Sequence, residues 1–312
     1  HQRARFSAIG KLVLRQSTLS VRLDAVYAAQ DGYNEPQFNA GGEVIGEDVR
    51  AMPFEKVLPG GMLAWQRLFR SDENALNGIA TLVLHGRVPN NHEWGANGIH
   101  HGTFRFEQGN PDLTPEWTVE GRGQLKHERT SRGWSWRANG FAALHNGFIS
   151  LTPSAQFAPI SHAGLIYRFE ANDAFRTGME ATINHTQENH TWEAAGSVLG
   201  QWDLRTGLGL PFTTPSQLIV SWEGRNGIGS ALKLTARAIA SAKLTARNEA
   251  STPGALLANL SLNQTTRRGQ WSLQVHNALN VAWLDHISAY LALGLVAQGR
   301  WVELSFLSLI HI

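Results

Sequence analysis

The sequence predicts an all-β protein, a large antiparallel transmembrane β-barrel. Three features favour this fold: apolar and polar residues alternate along extended segments, short and long connections alternate along the chain, and charged residues are scarce. Only 17% of the 312 residues are charged, whereas 42% are hydrophobic, with 31 glycines and 11 tryptophans. This composition is typical of strands that join at glycine turns and carry aromatic residues at a membrane surface.

Alternation with a period of two residues indicates strands with two different faces. In the segment 175–184, Met179 and Ile183 lie on one face, while Arg176 and Glu180 lie on the other. We expect strands of about ten to thirteen residues, the length that a tilted strand needs to cross a bilayer. The same alternation recurs in the segments 19–27, 117–126 and 271–276.

The predicted connections alternate between tight turns and long loops, as expected of a barrel with a different compartment at each end. Counting strands between them gives about thirteen, the last beginning near Arg300, in one domain. Tight turns are predicted near residues 16–17, 71–74, 130–133, 188–190, 224–229 and 267–270. Long loops are predicted at about 28–57, 87–115, 147–162, 203–215, 243–254 and 284–299.

The composition also excludes several classes of function. The net charge is +2 and the basic residues are scattered, so the sequence does not predict a nucleic-acid partner. The absence of cysteine excludes disulfides, thiolate metal sites and cysteine nucleophiles. The sequence contains no nucleophile elbow, no zinc-protease helix motif and no phosphate-binding glycine loop, so we predict that the protein is not an enzyme.

Two proline motifs bound the long loop at 87–115. Pro89 and the later prolines fix φ and remove a backbone donor, which would pin both ends of the loop. An Arg-X-Pro element followed by an Asn-Pro-X-Leu-X-Pro-Glu box resembles the barrel of TonB-dependent outer-membrane receptors of Gram-negative bacteria. Gly86 departs from the pattern, because the family commonly has an aromatic residue there. The motif residues are Arg87, Pro89, Asn110, Pro111, Leu113, Pro115 and Glu116.

The C-terminal third resembles the same family in order and spacing. Its segment 271–288 is similar to the penultimate strand with an Asn-Leu-Phe-Asn-like signature, from which Ala278 departs. The signature and the start of the closing strand are matched by Asn277, Leu279, Asn280, Gly299 and Arg300.

The resemblance implies a particular domain organisation. Residues 1–306 would be the C-terminal part of a 22-stranded barrel, with the plug, the energy-coupling segment and the first strands upstream of residue 1. Residues 307–312 are expected to be non-native, since LSLIHI is encoded by one reading frame of a sequencing-library adapter; the alternative is an ordinary strand end. The implied partners are outer-membrane lipids and the TonB energy-coupling complex.

Histidines in the predicted outer loops are the candidates for ligand binding. Neutral imidazole together with carboxylate suits zinc, copper or iron. The stretch 97–110 resembles the corresponding loop of zinc and iron-uptake receptors, and haem receptors of the family place an iron-ligating histidine in this loop. The alternative is that these histidines are solvated loop residues. The candidate residues are His92, Glu93, His100, His101, Glu107 and His286.

Two further sets of residues have structural interpretations. We expect the tryptophans to form an interfacial girdle rather than a stacking platform for a ligand, and the charged residues inside the barrel to pair across the wall rather than guide a solute. The tryptophans are Trp94, Trp117, Trp134, Trp136, Trp202, Trp222, Trp271, Trp283 and Trp301. The charged residues are Arg22, Asp24, Glu120, Arg122, Arg176 and Glu180.

The sequence therefore predicts a receptor of the cell outer membrane for energised uptake of a scarce metal or metal chelate, such as zinc, a ferric siderophore or haem. No intrinsic cofactor is expected. A passive porin-like or adhesive barrel is the main alternative, and it would lack an upstream plug and coupling segment. An outer-membrane lipase would need a serine and a histidine facing each other at the lipid boundary, and a soluble β-protein would need a second sheet to cover its apolar faces.

Overall fold

The computed structural model describes residues 2–14, 16–38, 41–51, 53–70, 74–100, 102–103, 105–129, 133–158 and 164–308. Strands account for most of them, with one short helix and one 3-10 turn. The strands are β1 Gln2–Leu14, β2 Ser17–Gln30, β3 Tyr33–Phe38, β4 Val44–Ala51, β5 Phe54–Arg70, β6 Asn74–Arg87, β7 Asn97–His100, β8 Arg105–Gln108, β9 Glu116–Arg129, β10 Gly133–Phe157, β11 Leu165–Gln187, β12 His190–Asp203, β13 Gln217–Arg225, β14 Ser230–Ile239, β15 Ala255–Thr266, β16 Gly269–His276 and β17 Trp301–Ser308. The helix α1 is Asn91–Gly95, and the 3-10 turn is Ala289–Leu293.

The main sheet is an antiparallel meander. Its strands follow the order β1-β2-β5-β6-β9-β10-β11-β12-β13-β14-β15-β16-β17, which is thirteen strands, as the sequence predicts. Among the described residues the sheet is open, because β1 and β17 are not paired with each other. The all-β antiparallel fold class is confirmed.

The register confirms the two faces predicted from the alternation. Val198 in β12 lies opposite Met179 in β11, and these side chains are 60% and 56% exposed on the apolar face. One residue along β12, Ser197 lies opposite Glu180 and Gln217 on the polar face. Because side chains alternate along a strand, this parity extends over the sheet and gives an apolar outer face and a polar inner face.

Some predicted connections are confirmed and others are wrong. The turns at 188–189, 226–229 and 267–268 are short as predicted, whereas residues 71–73 and 130–132 of two other turns lie outside the described residues. The predicted loop 28–57 contains the hairpin β3–β4, and β2 and β5 extend into it. The predicted loop 147–162 is also wrong over its first part, because β10 continues to Phe157 in pairing with β11, with one register shift near Gly147 and a second between Pro153 and Phe157. Residues 159–162 lie outside the described residues.

The buried apolar cluster of the described chain lies at the long-loop edge of the sheet. Strand β8 pairs parallel to β11 there, with Phe106 opposite Ile166, so the connection between β6 and β9 folds against the ends of β10 and β11. None of the described helices has the length and apolar character required to span a membrane. The cluster consists of Leu58, Val88, Trp94, Leu113, Ile149 and Phe169.

Candidate ligand-binding loop

The described residues of the segment 88–115, which we call the rim loop, form a folded unit. Asn90 caps α1, because its side-chain oxygen accepts from Glu93 N at 2.9 Å while the Glu93 carboxylate accepts from Asn90 N at 2.7 Å. Inside the loop, the pair of strands β7 and β8 is closed at its base, where Gly109 N donates to Ala96 O at 2.6 Å. Trp94 is 2% exposed, and its indole N–H donates to Leu113 O at 3.1 Å. The loop therefore has its own cap and closure, and it shares a buried core with β5, β10 and β11.

A charged network fixes the rim loop to the sheet. The Arg87 guanidinium donates to both oxygens of Glu93, at 3.0 and 2.8 Å, and to Glu116 Oε2 at 3.0 Å. Glu116 also accepts from Ile149 N at 3.2 Å, and its Oε1 lies 3.2 Å from His145 Nδ1. Arg87, Glu93, Glu116 and His145, here called the rim network, join the two proline motifs to β10. Glu93, a predicted ligand, is engaged in this network.

The rim network changes the pKa values of two of its groups. Both lie at the long-loop ends of β6 and β9, outside the apolar membrane band. Burial lowers the pKa of Arg87, but Glu93 and Glu116 more than offset this and hold it above its ordinary value. Burial likewise raises the pKa of Glu116, but His145, Arg87 and the Ile149 N–H outweigh it and hold this pKa below its ordinary value. Both groups are therefore charged at neutral pH.

Three of the predicted ligand residues lie close together in the rim loop. His92 Nε2 lies 2.6 Å from Glu107 Oε2, and the His92 and His100 rings are 6.2 Å apart. Thr103 Oγ1 donates to Glu107 Oε1 at 3.4 Å and lies 3.3 Å from His100 Nδ1. Both imidazoles are exposed, whereas Glu107 is only 5% exposed. We call His92, His100, Thr103 and Glu107 the His–Glu cluster.

The His–Glu cluster is not a preformed metal site. Across the part of the chain that the structure describes, no three His, Asp or Glu residues are placed to hold a metal ion. Glu107 is paired with His92, so a metal would have to replace that contact. The cluster offers two accessible imidazoles beside one buried carboxylate, a donor set that borderline divalent metals and iron accept. His101 lies outside the described residues.

His286 lies in a different loop, between β16 and β17. It is 3% exposed, and its Nε2 lies 3.7 Å from Glu249 Oε1. Glu249 accepts from Phe212 N and Ala246 N, both at 2.8 Å, and thereby joins the loop after β12 to the loop after β14. Sequence reasoning missed Glu249, because its partner Phe212 is 37 residues away and no local pattern marks the contact.

The C-terminal motif closes the loop between β16 and β17. Asn277 and Asn280 adopt positive φ values of 46° and 54°, which asparagine tolerates better than most residues. The Asn277 side chain donates to Val281 O at 2.9 Å and to Gln298 O at 3.3 Å. The Asn280 side chain accepts from Arg300 N at 3.0 Å. The two asparagines thus fix the start of β17, while Leu279 is 54% exposed.

The tryptophan girdle stays a prediction. Trp283 lies in the loop between β16 and β17, and two other tryptophans of the predicted set are not on the apolar face of the wall. Trp192 and Trp202 are ten residues apart in β12, which corresponds to about 33 Å along the strand and to about 25 Å of height at the usual strand tilt. That is the height of an apolar membrane band. Trp94 instead belongs to the core of the rim loop. Trp301 lies on the polar face, because it is two residues before Glu303 in the same strand, and it stacks on His276.

The charged residues of the polar face pair mainly along their own strands. Arg22 donates to Asp24 at 2.9 Å, and Arg122 pairs with Glu120. Arg176 instead donates to Gln201 on the neighbouring strand. The expected pairing across the wall is therefore wrong for the first two pairs, because residues i and i+2 lie on the same face of a strand. A groove on the polar face is lined by Glu120, Arg122, Arg176 and Glu180, among others.

Comparison with known proteins identifies the fold. No family model matches the chain, and no curated protein matches it. Among solved structures, the copper transporter OprC has a TM-score of 0.73 at 17% identity, covering 98% of this chain and 48% of that one. The ferric-catecholate import receptor Fiu from E. coli K12 has a TM-score of 0.64 at 12% identity, covering 97% and 44%. The FrpB iron transporter from Neisseria meningitidis has a TM-score of 0.63 at 11% identity, covering 97% and 44%.

These solved structures are TonB-dependent receptors, which are outer-membrane β-barrels and transport proteins rather than enzymes. The chain has the fold of their barrel, as the motifs predict. It spans about half the length of the solved structures that it matches.

Proposed function

We propose that the chain is part of an outer-membrane receptor that takes up a metal, as the ion or as a chelate, with energy from the TonB complex. The observation that carries this proposal is the His–Glu cluster: two exposed imidazoles beside a buried carboxylate, on a rim loop anchored to a TonB-dependent receptor barrel fold. Copper, ferric catecholate and iron are named as the cargo of three of the matched structures, which supports a metal-containing ligand.

The geometry of the cluster favours capture by exchange of partners. Glu107 now contacts His92, and its other oxygen accepts from Thr103. A metal that binds His92 and His100 would break the His92–Glu107 contact, while Thr103 would still orient the carboxylate. Metal ligands are commonly held in this way by hydrogen bonds from neighbouring residues. The rim network would keep the loop in place during the exchange.

The apolar outer face supports the proposed location in the outer membrane. Its large side chains are exposed, as shown by Leu82 at 52%, Leu144 at 56% and Leu304 at 66%. A contiguous apolar surface of this extent has no covering layer among the described residues, and lipid is the partner that would cover it. The polar inner face would line the path of the cargo.

Binding of metal to the protein refolded in detergent is the first test. Zn²⁺, Cu²⁺, a ferric catecholate siderophore and haem would each be titrated by calorimetry, with bound metal measured by mass spectrometry. At least one should bind, and a His92→Ala/His100→Ala variant should bind it about 10- to 100-fold more weakly. His190→Ala, an exposed histidine at the tight-turn edge, is the matched control. Equal binding by the double variant and the control would contradict the assignment of the site.

The energy requirement needs a separate experiment. Uptake of the ligand that binds would be compared in cells with and without a functional TonB complex. The proposal expects uptake only when the complex works. Uptake at the same rate without the complex would favour the passive porin-like barrel.

A further inference from the structure

Arg105 lies beside the His–Glu cluster, on the same face of the rim loop. Strands β7 and β8 pair so that His100 is directly opposite Arg105, and opposed residues of two paired strands point to the same side. Glu107 follows Arg105 by two residues in β8, which places it on that side as well. One face of this strand pair therefore carries an imidazole, a carboxylate and a guanidinium.

Two aromatic rings hold the guanidinium in place. Arg105 Cζ lies 4.3 Å from the ring centroid of Phe212 and 5.0 Å from that of Tyr167. The two rings stack on each other, with centroids 6.1 Å apart and planes 20° from parallel. Tyr167 is 8% exposed and lies opposite Glu107 in the parallel pairing of β8 with β11. Aromatic faces attract a cation without neutralising its charge, so the guanidinium is positioned and still charged.

The ring of Phe212 is itself fixed by contacts between two other loops. Phe212 has a φ of 57°, which is rare for a bulky side chain. Its N–H donates to the Glu249 carboxylate at 2.8 Å, and the same carboxylate accepts from Ala246 N at 2.8 Å. Backbone conformations of this kind persist where the surrounding contacts determine them, and they are concentrated at binding sites.

The positive charge of Arg105 is not used by the described protein. Its Nε atom is buried and has no hydrogen-bond partner, and no carboxylate among the described residues pairs with its guanidinium. Glu107 instead contacts His92 and Thr103. A bare divalent ion held by His92 and His100 would have this cation as a neighbour, and like charges repel. A cargo with negative charge complements the site better.

The two imidazoles determine what the metal must offer. Two histidine ligands of one metal have ring centroids about 4.5–6.5 Å apart, since each metal–nitrogen bond is about 2.0–2.1 Å. The centroids of His92 and His100 are 6.2 Å apart, so one metal can reach both. A metal that is fully enclosed by its chelator has no coordination position for them. The geometry therefore favours a chelator that leaves two positions open.

We propose that the rim loop binds an anionic metal chelate in which two coordination positions of the metal are open. Two water molecules would leave the metal as His92 and His100 bind it, and Arg105 would bind the negatively charged chelator. This inference rests on the proposed function, because it names the class of cargo at the same site. Arg105 is then the residue that determines specificity for a chelate over a bare ion.

The test compares two ferric complexes that differ in charge. Iron held by a tetradentate bis-catecholate carries one net negative charge, iron held by a tetradentate bis-hydroxamate carries one net positive charge, and each complex has two open positions. Both complexes, and Zn²⁺ alone, would be titrated into the protein refolded in detergent at neutral pH. Arg105→Gln removes the charge and Arg105→Lys keeps it. Arg168→Gln is the matched control, because Arg168 is next to Tyr167 in β11 but donates to Gln108 and Gln156.

The wild type, Arg105→Lys and Arg168→Gln should bind the anionic complex about tenfold more tightly than the cationic one, and Arg105→Gln should lose this preference, as expected when one charged hydrogen-bond donor is removed. The catecholate-to-iron absorption band should shift when the complex binds the wild type, and it should not shift with His92→Ala/His100→Ala. Hydrogen exchange of the rim loop should be the same in every Arg105 variant.

Three results would overturn the inference. The first is equal affinity of the wild type for the two complexes, or a preference that survives in Arg105→Gln. The second is an absorption band that does not shift on binding to the wild type. The third is tight binding of Zn²⁺ with no binding of either iron complex, which would leave the proposed metal receptor intact. Failure of every metal form to bind would overturn the proposed function as well.

Discussion

The wall and the rim loop place their apolar side chains in opposite ways. In the wall, backbone groups bond to neighbouring strands and large apolar residues point outward, as Val198 does at 60% exposure. In the rim loop, apolar residues point inward, and Trp94 and Leu113 are 2% and 6% exposed. The wall thus depends on lipid to cover its apolar face, while the loop buries its apolar residues against Leu58, Ile149 and Phe169 of the neighbouring strands. The two regions should therefore respond to different perturbations.

Removal of the loop core should have the largest effect. Trp94→Ala would leave a cavity among Val88, Leu113 and Phe169 and cost about 3–5 kcal/mol of local stability. Hydrogen exchange should accelerate in 88–115 and remain unchanged in β12. Trp192→Ala, which removes a tryptophan that is 51% exposed, is the control and should leave the loop protected. Equal loss of protection in the loop and in β12 would show that they unfold as one unit.

A charge on the outer face should damage the wall and spare the loop. Val198 lies about midway between Trp192 and Trp202, so Val198→Arg would place a cation in the bilayer centre at a cost of about 2–4 kcal/mol. Ser197→Arg, one residue away on the polar face, should cost far less. Denaturant titrations of both variants in lipid measure the difference. Similar costs for the two would mean that the outer face is not in contact with acyl chains.

Acid should loosen the rim loop before it affects the wall. The pKa of Glu116 is held below its ordinary value of 4.5, so its contribution is complete above that pH and is lost as the pH falls toward the lower folded value. Glu116→Gln should weaken the loop by about 1–3 kcal/mol at neutral pH and flatten this acid dependence. Hydrogen exchange of the loop, followed as the pH is lowered, measures the effect. Asp112→Asn, in the same motif, is the control. A steep acid transition that persists in Glu116→Gln would assign the effect elsewhere.

A single methyl group should distinguish a close contact in the loop from an open position. A Cβ at Gly109 would lie 2.5 Å from Trp94 O and 2.7 Å from Ala96 N, whereas one at Gly98 would meet nothing within 4 Å. Gly109→Ala should destabilise the loop by about 1–3 kcal/mol, and Gly98→Ala should have little effect. Limited proteolysis of the loop measures both. Equal cleavage rates for the two variants would contradict the closure at Gly109.

The wall was more predictable from the sequence than the loop. The parity of residues such as Arg176 and Met179 determines their faces, so alternation alone located the strands and their apolar side. The sequence predicts a loop in part of β10, since Gly147 and Pro153 are typical loop residues. Pairing with β11 instead extends the strand through this part. The burial of Trp94 was not predicted, because its core depends on Leu58, Ile149 and Phe169, which are distant in sequence.

The candidate site was predictable in composition and not in geometry. His92, His100 and Glu107 are close in sequence within one loop, so their convergence followed from the spacing. The capture of Glu93 by Arg87 depends on the capping box of α1 and on the register of β6 with β9. Neither is visible in a list of metal-binding residue types.

Accessibility along β12 tests the central claim, that this chain is a membrane wall with a lipid face and a polar lumen. The chain contains no cysteine, so single cysteines at each position from 194 to 200 can carry a spin label without a background signal. Collision with oxygen should peak at 194, 196, 198 and 200, and collision with a water-soluble nickel chelate should peak at 195, 197 and 199. Equal collision with the nickel chelate on both faces would contradict the account.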